Sequence, residues 1–239
     1  MLIALKLGGI SMFYFDPTMW LVIPGLLLGL WAQFRVKHTF SKFSKVTSKC
    51  GLTAEQVSKQ LLNMSGNSQV SIQTVKGDLT DHYDPRSNTL RLSQSVYGLN
   101  SISAIGVAAH ECGHAMQQHD GYSLLKLRTA IVPVVNIGSS LYFPIFFLGI
   151  VFSWQPLITV GIICFSLTLL FSLITLPVEF DASKRAVAML EQSGIMDSNE
   201  IQGVRSLLNA AAMSYVASTL SSLLQLIRLI LISKAHDRD

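Results

Sequence analysis

"TAIVPVVNIGSSLYFPIFFLGIVFSWQPLITVGIICFSLTLLFSLITLPV", residues 129–178, contains no Asp, Glu, Lys, Arg or His in 50 positions. As one straight helix it would be about 75 Å long, more than twice the ~30 Å hydrocarbon core of a bilayer. The stretch therefore has to cross, turn and cross back. "FSWQP" (152–156) is the expected turn, because Pro156 interrupts a helix and Trp154 suits the lipid–water interface. The two spans are expected at 131–152 and 156–178.

Working outward, a third uncharged run covers 17–34 and is just long enough to span; it is not followed by the small-residue cleavage site of a signal peptide. It carries Gly25 and Gly29 at the small-xxx-small spacing that lets helices approach closely. A fourth segment, 207–232, is rich in Ala and Ser and is expected to span or to pack as a membrane helix. Composition agrees: of 239 residues 50% are hydrophobic and 13% charged, where a soluble domain carries about 25% charged residues. Mean hydropathy is +0.45.

The net charge of +4 does not point to nucleic acid, because its distribution follows the expected spans. Arg35, Lys37, Lys42, Lys45 and Lys49 follow the first span with no acid among them. Lys126 and Arg128 precede the long uncharged stretch, and Lys184 and Arg185 follow it. Such a bias places the polar regions on the cytoplasmic side and the N-terminus outside, with the basic residues facing anionic headgroups. Cys50, Cys112 and Cys164 are odd in number and scattered, so neither a disulfide framework nor a cysteine zinc site is expected.

Residues 35–128 read as one polar module. Thr53 and Gln56 stand at capping-box spacing before a helix that puts Val57, Leu61 and Leu62 on one face and stops at Gly66. "SQVSIQTV" alternates, "KGD" and "DPRSN" turn the chain, and "TLRLS" follows, which together predict a small hairpin or ribbon of strands. A helix then starts at Asn100 or Ser101 and stops at Gly121, and in its middle lies "AAHECGHAMQQ" (108–118). His110 and His114, at i and i+4, share one side of that helix, so both imidazoles can reach one ion. Glu111 points beside the ion, where a base for an attacking water belongs. Cys112 faces away and reads as a packing residue.

A catalytic zinc takes three protein ligands, and four residues compete for the third place. His119 is off the face, five positions past His114. Asp120 would complete a metzincin-like H-E-x-x-H-x-x-G-x-x-D, but Gln117 stands where that pattern needs Gly, and no methionine turn is evident. His82, in "DHYDP", is reachable from the strand region. Glu179, in "LPVEFDASKRA", follows the second crossing, and a double crossing returns the chain to the side it left. Pro177 there permits a fresh helix start.

"LTDHYDPRSNTLRLS", "AAHECGHAMQQ" and "LPVEFDASKRA" together resemble the YugP-type membrane zinc metallopeptidases, and more distantly HtpX-type and CAAX-prenyl endopeptidases, over nearly the whole chain. The resemblance implies a gluzincin site in which Glu179 is the third ligand beside His110 and His114. The wider clan has E-F-x-A-D here; its Asp falls on Ser183 in this chain, which puts in question an outer hydrogen-bonding role at that position.

These readings converge on a mainly α, multipass membrane helical bundle with an HExxH zincin-like catalytic module and a small β hairpin. The chain (1–239) is taken as one membrane-integrated domain, with 35–128 as the cytoplasmic catalytic segment and 179–206 as the third-ligand helix. The expected activity is zinc-dependent endopeptidase cleavage of protein or peptide substrates, membrane proteins among them, with one Zn²⁺ on His110, His114 and Glu179 and with Glu111 as the base. His82 and Tyr215 are candidate oxyanion donors, and "NTLRLS" is read as an edge strand open to substrate pairing.

Di-iron chemistry fails on counting. "ECGH" is one E-x-x-H, and Glu55, Glu179, Glu191 and Glu200 are followed three positions on by Ser, Ala, Gly and Gly. A site-2-type intramembrane protease is disfavoured, because polar residues flank the motif and no span holds an Asp. The competing reading is a non-proteolytic zinc-binding membrane scaffold or transporter. It leaves Glu111 without a purpose. Nothing in the sequence sets an oligomeric state.

Overall fold

The computed structural model describes residues 3–4, 14–15 and 17–237. Its elements run β1 (Ile3–Ala4), β2 (Tyr14–Phe15), α1 (Met19–Ser44), α2 (Ala54–Met64), β3 (Ser71–Val75), β4 (His82–Asp84), β5 (Thr89–Ser93), α3 (Ile102–His119), α4 (Ser123–Val151), α5 (Gln155–Ser193) and α6 (Ser198–His236). β1 and β2 pair antiparallel. The helices α1, α4, α5 and α6 are each long and apolar enough to cross a membrane. Two compact units emerge: Met1–Trp31, Arg128–Ile174 and Val216–Asp239 form one, and Ala32–Leu127 with Thr175–Tyr215 the other.

The first unit contains the apolar lengths of the four long helices. The chain reverses between α4 and α5 at Phe152–Trp154, where the turn was expected, with Ser153 at φ 50°. Pro156 falls in the first turn of α5, where its missing N–H would have had no helical partner. Gly25 lies against Ser221 of α6 so closely that a β-carbon would sit 2.9 Å from its Oγ, whereas Gly29 has nothing within 4 Å. One half of the expected glycine pair therefore serves helix contact. Large apolar side chains point outward here, Trp20, Leu26, Leu27 and Leu30 on α1 and Phe143 and Phe147 on α4 among them. An outer surface of that kind suits lipid rather than water.

The second unit has a conventional core. Val57, Leu61 and Leu62 of α2, Ile105, Ala108, Ala109 and Cys112 of α3, and Leu90 and Leu92 of β5 are buried together with Val187 and Leu190 of α5 and Val204 and Leu208 of α6. The N-terminus of α2 is held by the expected capping box: Gln56 N–H donates to Thr53 Oγ1, and Thr53 N–H to Gln56 Oε1. Ser101 caps α3, whose end is marked by Gly121 at φ +68°.

Two sequence expectations are corrected. "TLRLS" is not an edge: the sheet order is β3-β5-β4, with β3 parallel and β4 antiparallel to β5. Its polar ends mislead, because they are satisfied internally. Thr89 Oγ1 bonds Ser71 Oγ, and the Asp81 carboxylate accepts from Ser93 N–H and Oγ–H. The edges are β3 and β4. The fresh helix start at Pro177 does not occur either: Pro177 lies inside α5, which continues to Ser193. A proline inside a helix costs one backbone hydrogen bond, and the surrounding packing holds the helix through it.

Candidate metal centre

The centre is built on α3. Helical geometry sets His110 and His114 one above the other, with ring centroids 4.9 Å apart and planes nearly perpendicular. Between them, Gly113 leaves room for α5: a β-carbon there would lie within 3.0 Å of the Ala182 carbonyl carbon and closer still to its oxygen. This contact brings in Glu179, which is 2% exposed. Its Oε2 is 3.2 Å from His110 Nε2 and 3.5 Å from His114 Nε2. One donor atom from each of the three residues falls within 4.8 Å of the others, and among the described residues no other such group of His, Cys, Asp or Glu occurs.

The separations test whether a metal fits. Zinc bonds to nitrogen and oxygen of about 2.0–2.1 Å put tetrahedral ligand atoms about 3.3 Å apart. The two contacts to Glu179 bracket that edge, so the same distances serve a hydrogen bond without an ion and a shared ion with one. The outer nitrogens are already engaged. His110 Nδ1 is 3.2 Å from Ser183 Oγ, and His114 Nδ1 is 3.0 Å from Gln117 Oε1. Both Nε2 atoms are thereby left for one place. The donor set, two imidazoles and a carboxylate, is one that zinc accepts.

Electrostatics agree. Burial works against ionisation of Glu179, but hydrogen bonds from His110 and His114 outweigh it and hold the carboxyl well below its usual range. For His114, burial disfavours the charged form, while Glu179 and Glu111 more than offset it and raise the imidazole above its ordinary value. Glu111 lies on the adjacent side of α3, nearly buried, and its Oε2 accepts the Tyr83 N–H of β4 at 2.9 Å.

The other candidates lie elsewhere. Asp120 caps α3 and pairs with Arg185. His119 packs beside Gly66. His82 is exposed on β4, with Nδ1 2.8 Å from Thr80 O. Cys112 is fully buried on the far face, 3.9 Å from Ser58 O, as a packing residue.

What sequence reasoning missed is the layer behind the three candidate ligands. Gln117, with no exposed surface, donates to Val178 O and Asp181 Oδ2, each at 2.8 Å. Asp181 accepts from Arg185 Nε at 2.6 Å. The signal for Gln117 was its spacing, seven beyond His110 and three beyond His114, on the same helix face. Ser183, the departure from the wider pattern, still reaches His110 through its hydroxyl.

The fold and this donor set define a mainly helical chain with four helices long and apolar enough to cross a membrane and a His/Glu group that could hold a metal ion. The chain belongs to the family described as "Putative neutral zinc metallopeptidase", which matches residues 18–234. It is 46% identical over 212 residues, 89% of this chain and 94% of the other, to a Bacillus subtilis (strain 168) protein named "Putative membrane protease YugP". No solved structure matches the chain.

Proposed function

We propose that this chain is a zinc-dependent membrane endopeptidase that cleaves protein or peptide substrates at the cytoplasmic membrane surface. The observation that carries the reading is the meeting of His110, His114 and Glu179, with the Glu111 carboxylate on the neighbouring face of the same helix. Those three residues would hold one Zn²⁺, which when bound supplies Lewis acidity toward water and the scissile carbonyl.

Glu111 does the proton work. Its side chain, fixed by Tyr83 N–H, takes a proton from the attacking water and delivers it to the leaving amine. Because Tyr83 sits on edge strand β4, an extended peptide lying along that edge would present its backbone beside Glu111. The family and the name of the Bacillus subtilis relative support a zinc protease at a membrane. The four apolar helices, Met19–Ser44, Ser123–Val151, Gln155–Ser193 and Ser198–His236, support the multipass placement, and the basic residues after the first expected span support the cytoplasmic face.

Glu111→Gln tests the reading in purified, detergent-solubilised protein. The variant is expected to bind one zinc per chain and to lose all cleavage of a casein-like or membrane-protein substrate. Equal activity in variant and wild type would overturn the hydrolase and leave the zinc-binding scaffold.

A further inference from the structure

We propose that Gln117 is a positioning residue of this metal centre: its side-chain amide sets which nitrogen of His114 carries the proton and ties that imidazole to the turn of α5 that presents Glu179. The proposal rests on the metal-centre reading above, and its evidence is the set of hydrogen bonds around one buried amide.

The orientation of an amide group follows from what its neighbours can do. On one side Gln117 faces Val178 O and Asp181 Oδ2, both at 2.8 Å. The backbone carbonyl can only accept, and the carboxylate, paired with Arg185, accepts as well. The amide NH₂ must therefore lie on that side, and both of its hydrogens are used. Oε1 consequently faces His114 Nδ1 at 3.0 Å, and an amide oxygen can only accept. Nδ1 must be the donor.

A neutral imidazole has one N–H. With it on Nδ1, the lone pair is on Nε2, the atom that faces Glu179 Oε2 at 3.5 Å. Gln117 thus selects the tautomer that can bind a metal at that place and fixes the ring plane. The same amide grips α5 at Val178, one residue before Glu179, and at Asp181, two residues after it. Two of the three proposed ligands, 65 residues apart in the chain, are therefore positioned by a single side chain with no exposed surface.

The arrangement extends outward. Arg185 joins Asp181 to Asp120 at the end of α3 and lies 6.0 Å from the Tyr122 ring centre. This clamp keeps the Asp181 carboxylate turned to Gln117. Asp181 and Arg185 therefore act on His114 through the Gln117 amide.

The test compares wild type with Gln117→Met, which keeps volume and removes every hydrogen bond, and with Gln117→Glu, which keeps an acceptor for His114 but no donor for Val178 and Asp181. Zinc dissociation constants are measured by competition with a chromophoric chelator, and folding by the circular dichroism and melting of the metal-free proteins. Gln117→Met is expected to keep its helicity and to bind zinc about 10- to 100-fold more weakly, the usual effect of losing a ligand's hydrogen-bond partner. Gln117→Glu is expected to fall between the two. Equal zinc affinity in Gln117→Met and wild type would overturn the proposal and leave the hydrolase reading standing, since Glu111→Gln tests that separately. A second readout needs no variant: long-range ¹H–¹⁵N spectra of histidine-labelled, metal-free wild type at alkaline pH should show His114 protonated on Nδ1. The other tautomer overturns the proposal whether or not zinc binds. A wild type that binds no zinc at all would instead overturn the metal-centre reading, with the tautomer still deciding the role of Gln117.

Discussion

Gly113 packs directly against the backbone carbonyl of Ala182, with no room for a methyl group between α3 and α5. That closeness lets Glu179, three residues before Ala182, reach two histidines that flank Gly113 on the other helix. Alanine is ordinarily the better helix former by about 1 kcal/mol. Here the clash is with backbone, which cannot rotate away. Gly113→Ala is therefore expected to destabilise by about 1–3 kcal/mol, the cost of overpacking, and to lower zinc retention. Thermal melting and metal analysis after dialysis read both effects. Gly29→Ala, with open space around it, should leave zinc retention unchanged and raise stability by no more than about 1 kcal/mol.

The ligand set is separated from its nearest rival by two substitutions. Glu179→Ala removes the carboxylate on which both Nε2 atoms converge, so zinc is expected to be lost on dialysis. Asp120→Ala removes a half-exposed partner of Arg185, and Asp181 still holds that guanidinium. An exposed ion pair contributes about 0–1 kcal/mol. Asp120→Ala should keep its zinc and most of its stability, and the reverse pattern would move the third ligand to Asp120.

What could be read from the sequence follows the range of the interactions. His110, Glu111 and His114 are placed by one helical turn, and the capping box of α2 by three residues, so both were legible from spacing. The reversal at 152–154 followed from charge alone, since 50 uncharged residues exceed one crossing. Glu179 was one of four candidates until the resemblance singled it out, because its approach depends on the bare surface of Gly113. Gln117 offered only its spacing on the histidine face: its partners Val178 and Asp181 lie 61 and 64 residues away, and nothing local marks a glutamine as buried. The place of β5 was misread for a related reason. Thr89 and Ser93 look solvent-facing until Ser71 and Asp81 are brought to them by tertiary packing.

The His114–Glu179 pair gives the metal-free protein a defined pH response. His114 is raised above its ordinary 6.5, so its contribution to stability is complete below that value and is lost as pH rises through the raised one. Glu179 is depressed from 4.5, so its contribution is complete above 4.5 and is lost only as pH falls through a much lower value. Melting temperature without metal should accordingly be highest between these two ordinary values and decline on the alkaline side. Zinc competes with the His114 proton, so the rise in melting temperature on adding zinc should grow with pH over the same interval. Melting curves with chelator and with added zinc would show the two trends diverging; parallel curves would mean that no ion takes the place of that proton.

Cys112 tests the packing behind the centre. It is fully buried between α3 and α2, and burial, reinforced by the charge of Glu111, pushes its thiol up to about 12. At pH 8 roughly one thiol in ten thousand would be thiolate, and that thiolate has no path to solvent. Maleimide labelling of the folded protein, followed by mass spectrometry, should therefore modify the partly exposed Cys50 first and leave Cys112 intact until denaturant is added. Cys112→Ala should cost about 1 kcal/mol, the scale of one small buried group, and leave zinc content unchanged, because the thiol lies on the face of α3 opposite the imidazoles. Rapid labelling of Cys112 under native conditions, or loss of zinc in Cys112→Ala, would mean that α3 is rotated from the orientation in which His110 and His114 meet Glu179.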